Sequence, residues 1–297
     1  SRVVLVMDHY VPAQDEDSKR IVRIARDWAR EQDLPHVYDS QGICHVVLPQ
    51  NGHIVPGRFC VGGDSHSPTG GAFGAYMFGI GSTEMLGVVV TGEIWVQVPQ
   101  TIRMIWDGVL QKGVCAKDMM LAMTQRFGMN GGGYQAIEYA GSTVKALSMP
   151  ERMTLSNMSA ELGAQVGLVA PDEVTRQWLR QLDQPVNLNP ADIDCWQTDE
   201  GAETQDHHFD GAALSPMVAA PHSPANTRAV SEFATQSIQV AYVGACTGAK
   251  HADMRAAASV LSGQRVAQGD DLLIAPASLR DLALAKADGT HQILKDA

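Results

Sequence analysis

The chain has 297 residues, 45% of them hydrophobic and 19% charged, with a formal net charge of −11. That apolar share is enough to bury a sizeable core without disordered tracts. The acidic balance excludes a nucleic-acid partner held through phosphates, which would need a basic face. A small polyanionic ligand stays possible where cationic groups and helix N-termini are focused in one cleft.

The length predicts two or three compact units. Cys44, Cys60, Cys115, Cys195 and Cys246 are widely spaced and form no CxxC pair, the usage of a reduced, cytoplasmic protein rather than a disulfide scaffold. No apolar run reaches the roughly 18 residues of a membrane span, and no signal-peptide pattern opens the chain. Because Ser1-Arg2-Val3-Val4-Leu5 enters directly on an apolar strand and Gln292–Ala297 stops as another element closes, the chain is expected to be clipped at both ends.

In chain order, the apolar run Val3–Met7 predicts a buried strand and Asp15–Glu31 a helix, with Ile21, Ile24, Ala25, Trp28 and Ala29 on one stripe. Val37-Tyr38, Val46-Val47-Leu48 and Phe59-Cys60-Val61 are expected as short strands, and this alternation is an α/β signature. Ala72–Met85 follows a helical apolar pattern despite Gly74, Gly79 and Gly81. Each interior glycine costs a helix about 1 kcal/mol against alanine, so their number points to a backbone approached closely by something else.

A β-rich run starts at Glu93–Val98, and Thr101–Gly108 alternates like a hairpin strand. Ala116–Phe127 reads as helix, Ala136–Tyr139 as strand, and Ser142–Leu147 and Arg152–Gly163 as helices. Residues 183–230, punctuated by Gln184-Pro185, Asn189-Pro190, Ser215-Pro216, Pro221 and Pro224, read as a polar linker. Strand Gln239–Gly244, helix Ala252–Leu261 and strand Asp271–Ala275 then open a further α/β unit.

Four segments carry candidate chemistry: Met7-Asp8-His9, Gly42-Ile43-Cys44-His45, Asp64-Ser65-His66 and Gly244-Ala245-Cys246-Thr247-Gly248. The first three lie at or beside predicted strand ends, where open α/β sheets collect ligand groups. A carboxylate paired with an imidazole fixes its tautomer and raises its basicity. Singly, each histidine is more often a satisfied structural residue. Together they leave two chemistries open, a His/Asp metal site and general acid–base catalysis on a carboxylate substrate. Cys246, in a turn between a strand and a helix, is open to roles as nucleophile, metal ligand or buried cysteine; the other four cysteines lack that setting and read as structural.

Taken together, these segments resemble the aconitase superfamily, as do Gly63–Gly74, Gly79-Ile80-Gly81, Arg152–Met158 with Glu161 and Gly163, and Gly167–Asp172. The likeness is greatest to the large subunits of 3-isopropylmalate dehydratase and homoaconitase, and it runs in order along essentially the whole chain. It implies an α/β fold of three-layer α/β/α domains with partly parallel sheets, over 1–98, 99–212 and 213–297, the first and last incomplete. It also implies a hydro-lyase acting on a 2-hydroxy polycarboxylate such as 3-isopropylmalate or homocitrate. In such enzymes a [4Fe-4S] cluster serves as Lewis acid, so that hydroxide becomes a tolerable leaving group while a base removes a weakly acidic C–H proton.

By residue matching, Asp8 with His9, Asp64 with His45, and Glu161 with His66 would be three carboxylate–imidazole pairs, His9 protonating the departing hydroxyl. Ser65 matches a substrate-carboxylate contact, Asn157 a residue near the cluster, and Cys246 the first of three cluster cysteines. The resemblance further implies a small swivel-domain subunit as partner, with the catalytic base and several substrate arginines in later segments or in that subunit. No membrane partner is implied.

Two departures matter. The family's remaining two cluster cysteines form a CxxC expected just past Ala297, and its Cys-Thr-Asn is Cys246-Thr247-Gly248 here. They keep alive a second reading, a cluster-free remnant used as a binding or scaffold subunit, and a more distant third, a mononuclear metal enzyme built on the Asp/His groups with Cys246.

Overall fold

The computed structural model describes residues 2–186, 188, 193 and 195–297; Asn189-Pro190 of the expected linker lies outside them. The chain forms two compact units, Ser1–Gln50 with Ile238–Ala297, and Asn51–Ser237. The three-domain division stays a proposal; its first and third domains each contribute residues to both units.

The terminal unit holds two parallel strand pairs. β1 (Leu5–Met7) pairs with β2 (Val37–Asp39) across helix α1 (Glu16–Glu31). A capping box starts α1: Asp15 accepts the Ser18 N–H at 2.8 Å, and the Asp15 N–H reaches Ser18 Oγ at 3.2 Å. Helix α2 (Cys44–Gln50) follows. From the other end of the chain, β11 (Val240–Val243), helix α8 (His251–Leu261) and β12 (Asp271–Ile274) make a parallel βαβ unit. Helices α9 (Leu279–Ala287) and α10 (Thr290–Asp296) pack there, around Ala249, Met254, Ala258, Ala285 and Leu294.

The central unit is built on a four-stranded parallel sheet, β5 (Thr101–Asp107), β6 (Ala136–Ala140), β7 (Val166–Val169) and β8 (Gln205–Asp210), in the order β7-β6-β5-β8. Its core gathers Met104, Trp106, Ile137 and Tyr139 from the strands. Met119, Met120 and Met123 come from α4 (Ala116–Phe127), and Leu155 from α6 (Met149–Asn157). A parallel pair, β3 (Phe59–Gly62) with β4 (Tyr76–Gly79), leads into and out of the Asp64-Ser65-His66 turn. The unit is completed by α3 (Ser82–Thr91), α5 (Ser142–Ala146), α7 (Glu173–Arg180) and the antiparallel pair β9 (Met217–Ala219) with β10 (Thr227–Ala229).

Six sequence expectations are corrected. Val46-Val47-Leu48 is helix, not strand, because a carboxylate caps the Cys44 N–H and starts a turn there. Ala72–Met85 is not one helix: the 3₁₀ segment Ser67–Phe73 ends at Gly74 in the left-handed region (φ 74°), β4 follows, and α3 starts at Ser82. Glu93–Val98 takes no regular structure. Thr101–Asp107 is a central parallel strand rather than half of a hairpin. The stretch 183–230 is no mere linker, since it supplies sheet strand β8 and the β9–β10 pair. The helix expected over Arg152–Gly163 starts earlier, at Met149, and gives way to a 3₁₀ turn at Met158–Ala160.

Candidate active site

The sequence-predicted residues fall into two groups. In the terminal unit, Asp8 and His9 follow β1, and His45 sits in the first turn of α2. Asp8 Oδ1 lies 2.8 Å from His9 Nδ1, and Asp8 Oδ2 accepts the Cys44 N–H at 2.7 Å. One carboxylate thus orients an imidazole and caps the helix that carries His45. The two ends of that pair face different surroundings: the His9 side chain is 64% exposed and that of Asp8 only 10%, so the ring is presented to solvent on a fixed handle. His45 is buried, its ring nitrogens 3.6 and 3.8 Å from the neighbouring Cys44 Sγ.

Cys246 stands in the connection from β11 to α8. Ala245 and Ala249, on either side of it, have left-handed backbones (φ 64° and 56°). Lys250 closes this turn from beneath: it is buried, and its Nζ donates to the Thr247 carbonyl at 3.0 Å and pairs with Asp253 Oδ2 at 2.8 Å.

In the central unit the Asp64 turn is fixed by its own side chains. Asp64 Oδ1 accepts the His66 N–H at 2.8 Å, Ser67 Oγ donates to the Asp64 carbonyl at 2.7 Å, and Thr69 Oγ1 donates to the His66 carbonyl at 2.6 Å. Gly79 must be glycine here, because a Cβ would meet the Asp64 carbonyl oxygen at 2.5 Å. Glu161, just past the 3₁₀ turn that follows α6, brings Oε1 to 3.2 Å from His66 Nε2. On the ring's other side, Nδ1 lies 3.2 Å from Ser65 Oγ and 3.8 Å from Asp64 Oδ1. The hydrogen bond to Glu161 raises the His66 pKa above 6.5; burial opposes the rise, and the charges of Glu161 and Asp64 add to it. Glu161 Oε2 is buried without a hydrogen-bond partner among the described residues. A native site rarely leaves such an oxygen unused.

Asn157 is 1% exposed and commits its Nδ2 to Thr69 Oγ1 at 2.8 Å, so it braces the His66 turn through Thr69. The Asp64–His45 pairing would join residues of different units and stays with the proposal below. Sequence reasoning missed Arg152, whose guanidinium is fully buried and grips both Asp172 oxygens at 2.7 Å. It also missed Thr69, Lys250 and Asp281. The Ser278-x-x-Asp281 spacing could have marked the last of these as a helix-start residue.

A [4Fe-4S] cluster is held by cysteine thiolates, commonly four, with one position open in enzymes that bind substrate on iron. Among the described residues no three His, Cys, Asp or Glu side chains gather closely enough to hold a metal ion. Cys246, half-buried in the β11–α8 turn, could offer one thiolate to such a cluster. The Cys60 thiol is pushed up by burial, as suits a structural cysteine.

Asp8 with His9, and Glu161 with His66, are carboxylate–imidazole contacts, with each histidine placed just after a strand of a parallel pair. The aconitase family model (aconitate hydratase) matches residues 2–237 and 231–297. A protein of Methanosarcina mazei named probable methanogen homoaconitase large subunit is 38% identical over 99% of this chain and 74% of its own length. The 3-isopropylmalate dehydratase large subunit 1 of Methanopyrus kandleri is 38% identical over 100% and 70%, and the large subunit of that name from Syntrophus aciditrophicus 36% over 100% and 70%. The chain belongs to the aconitase family and is an aconitase-type hydro-lyase. No helix among the described residues is long and apolar enough to cross a membrane.

Proposed function

We propose that this chain is the large subunit of a hydro-lyase that dehydrates and rehydrates a 2-hydroxy polycarboxylate such as 3-isopropylmalate or homocitrate, working with a separate small subunit. The reading is supported by the relatives' names and carried by one observation, the His66–Glu161 pair beside Ser65 with a buried Glu161 oxygen left over. A [4Fe-4S] cluster with Cys246 as one ligand would supply Lewis acidity toward the hydroxyl.

Each residue then has a defined task. His66, whose protonated form Glu161 favours, offers a ring N–H to a substrate oxygen, and Ser65 Oγ adds a neutral donor alongside it. His9, oriented by Asp8 and open to solvent, delivers the proton that lets the hydroxyl leave as water. Asp64 shapes the turn and is assigned to orient His45, while Asn157 holds the turn from behind. The group that removes the C–H proton is assigned to the small subunit or to a segment outside this chain.

The test uses the full gene product with its small subunit, reconstituted anaerobically with iron and sulfide and assayed for the conjugated enoate by ultraviolet absorbance. His9→Ala should lower turnover by about 10² to 10⁴, the usual worth of a positioned general acid, with iron content unchanged. If iron falls together with activity, His9 is structural. A wild-type product that takes up no iron yet still binds the polycarboxylate would favour the cluster-free binding subunit instead.

A further inference from the structure

The catalytic assignment leaves one buried carboxylate of the terminal unit without a task. Asp281 is 5% exposed, in the first turn of α9, and forms no ion pair among the described residues. A carboxylate so placed is costly unless its oxygens are hydrogen-bonded. Oδ1 accepts the His251 N–H at 2.8 Å, at the first residue of α8. Oδ2 accepts Gln50 Nε2 at 2.9 Å and Ser278 Oγ at 2.6 Å. Its donors thus come from the end of the helix that carries Cys44 and His45, from the start of the helix that follows the Cys246 turn, and from the cap of its own helix.

The backbone before Asp281 makes the same junction. The Ala277 N–H donates to the Ala249 carbonyl, at the far end of the Cys246 turn, and the Ala277 carbonyl accepts the Ile43 N–H, both at 2.9 Å. Gly42 bridges Ser278, and the Leu279 N–H reaches the Gln41 carbonyl at 2.9 Å. Gly42 sits at φ 133°, and a Cβ there would stand 2.5 Å from the Ala277 oxygen. Two motifs far apart in sequence are therefore stitched to one short segment, and Asp281 is its only buried charge.

We propose that Asp281 is a positioning residue that sets the Cys246 turn in register with the His45 helix. It acts through Gln50 on one side and the His251 peptide on the other. This deepens the proposed function, since it rests on both motifs serving one site, but its test does not read activity.

The experiment is hydrogen exchange by mass spectrometry on the chain, comparing peptides over 42–50 and 246–252 with a peptide from α1 of the same unit. Alkylation of the Cys44 and Cys246 thiols is followed in parallel. Asp281→Ala should speed exchange in both test segments by about tenfold, the effect of losing a buried hydrogen-bonded anchor, and leave α1 unchanged. Gln50→Leu should loosen 42–50 alone. Asp281→Asn, which keeps one acceptor oxygen, should restore protection at 246–252, and Cys246 alkylation should follow that segment. Should Asp281→Ala prove too unstable to study, the Gln50→Leu and Asp281→Asn patterns decide. Exchange rising equally in α1, or in neither test segment, would overturn the proposal. The His9→Ala assay stands or falls independently of it.

Discussion

Glu161 Oε1 lies 3.2 Å from His66 Nε2, although 95 residues separate the two in sequence. This one contact joins the 3₁₀ turn after α6 to the turn after β3, and it is the largest influence raising the pKa of the imidazole.

The first prediction is a pH dependence. With its folded pKa raised above 6.5, the His66–Glu161 pair contributes stability that is fully present below pH 6.5 and is lost as pH rises through the raised value. Glu161→Gln should remove that slope. In NMR titration the His66 pKa of this variant should fall to 6.5 or lower, because burial remains when the hydrogen bond and charge are weakened. An unchanged titration would show that Glu161 does not control the ring.

Arg152 tests whether a buried cation in a motif region is structural. It also donates Nε to the Leu147 carbonyl at 3.2 Å and a terminal nitrogen to the Lys145 carbonyl at 3.0 Å, while Asp172 caps α7 through the Val174 N–H at 2.9 Å. Asp172→Asn leaves the fully buried guanidinium without its anion and should cost about 3 kcal/mol in urea unfolding. Arg152→Met should cost less, because the carboxylate it leaves is partly exposed and still caps α7. A larger loss from Arg152→Met would show that the cation contributes more through its other contacts than through the ion pair.

How much of this was legible beforehand follows from where the information resides. Asp8-His9, the Asp64 turn and the Cys246 turn announce themselves because polar groups interrupt apolar strands at sheet ends. The helix at 44–50 did not, since Val46-Val47-Leu48 is too short an apolar run to show a period, and its cap comes from Asp8, 36 residues upstream. β8 was hidden for a different reason. Gln205–Asp210 is a polar edge strand, paired only with β5, and its place depends on a partner rather than on its own composition. Arg152–Asp172 and Asp281–Gln50 are tertiary pairs that no local pattern encodes.

Thr69 and Asn157 form a relay behind the His66 turn. Thr69→Val removes the hydroxyl that joins the Asn157 amide to the His66 carbonyl, leaving Nδ2 in a closed pocket, and should cost about 1 to 3 kcal/mol. The double variant Thr69→Val with Asn157→Leu should cost less than the sum of the two single changes. Strict additivity in thermal unfolding would show the relay to be uncoupled.

Gly248 stands where the family pattern has Asn. A Cβ there would meet the Gly244 carbonyl oxygen at 2.5 Å, a backbone atom that cannot swing aside. Gly248→Ala should therefore destabilise the chain by roughly 1 to 3 kcal/mol, and Gly248→Asn by no less. Equal stability of either variant in calorimetry would show that the turn relaxes freely.

The terminal unit draws its two parts from opposite ends of the chain, with the whole of Asn51–Ser237 synthesised between them. Closing so long a loop adds little to the equilibrium cost, since each doubling of length adds only about 0.6 kcal/mol. It weighs on timing instead: on the ribosome the β1–β2 half emerges first and must wait for the β11–β12 half, while the continuous central unit can fold in the interval. The contacts of Gln50 and Gln41 with residues 279–281 can form only after the central unit has been synthesised. Nascent chains stopped before Asp281 should therefore carry a protease-resistant middle and a cleavable N-terminal arm.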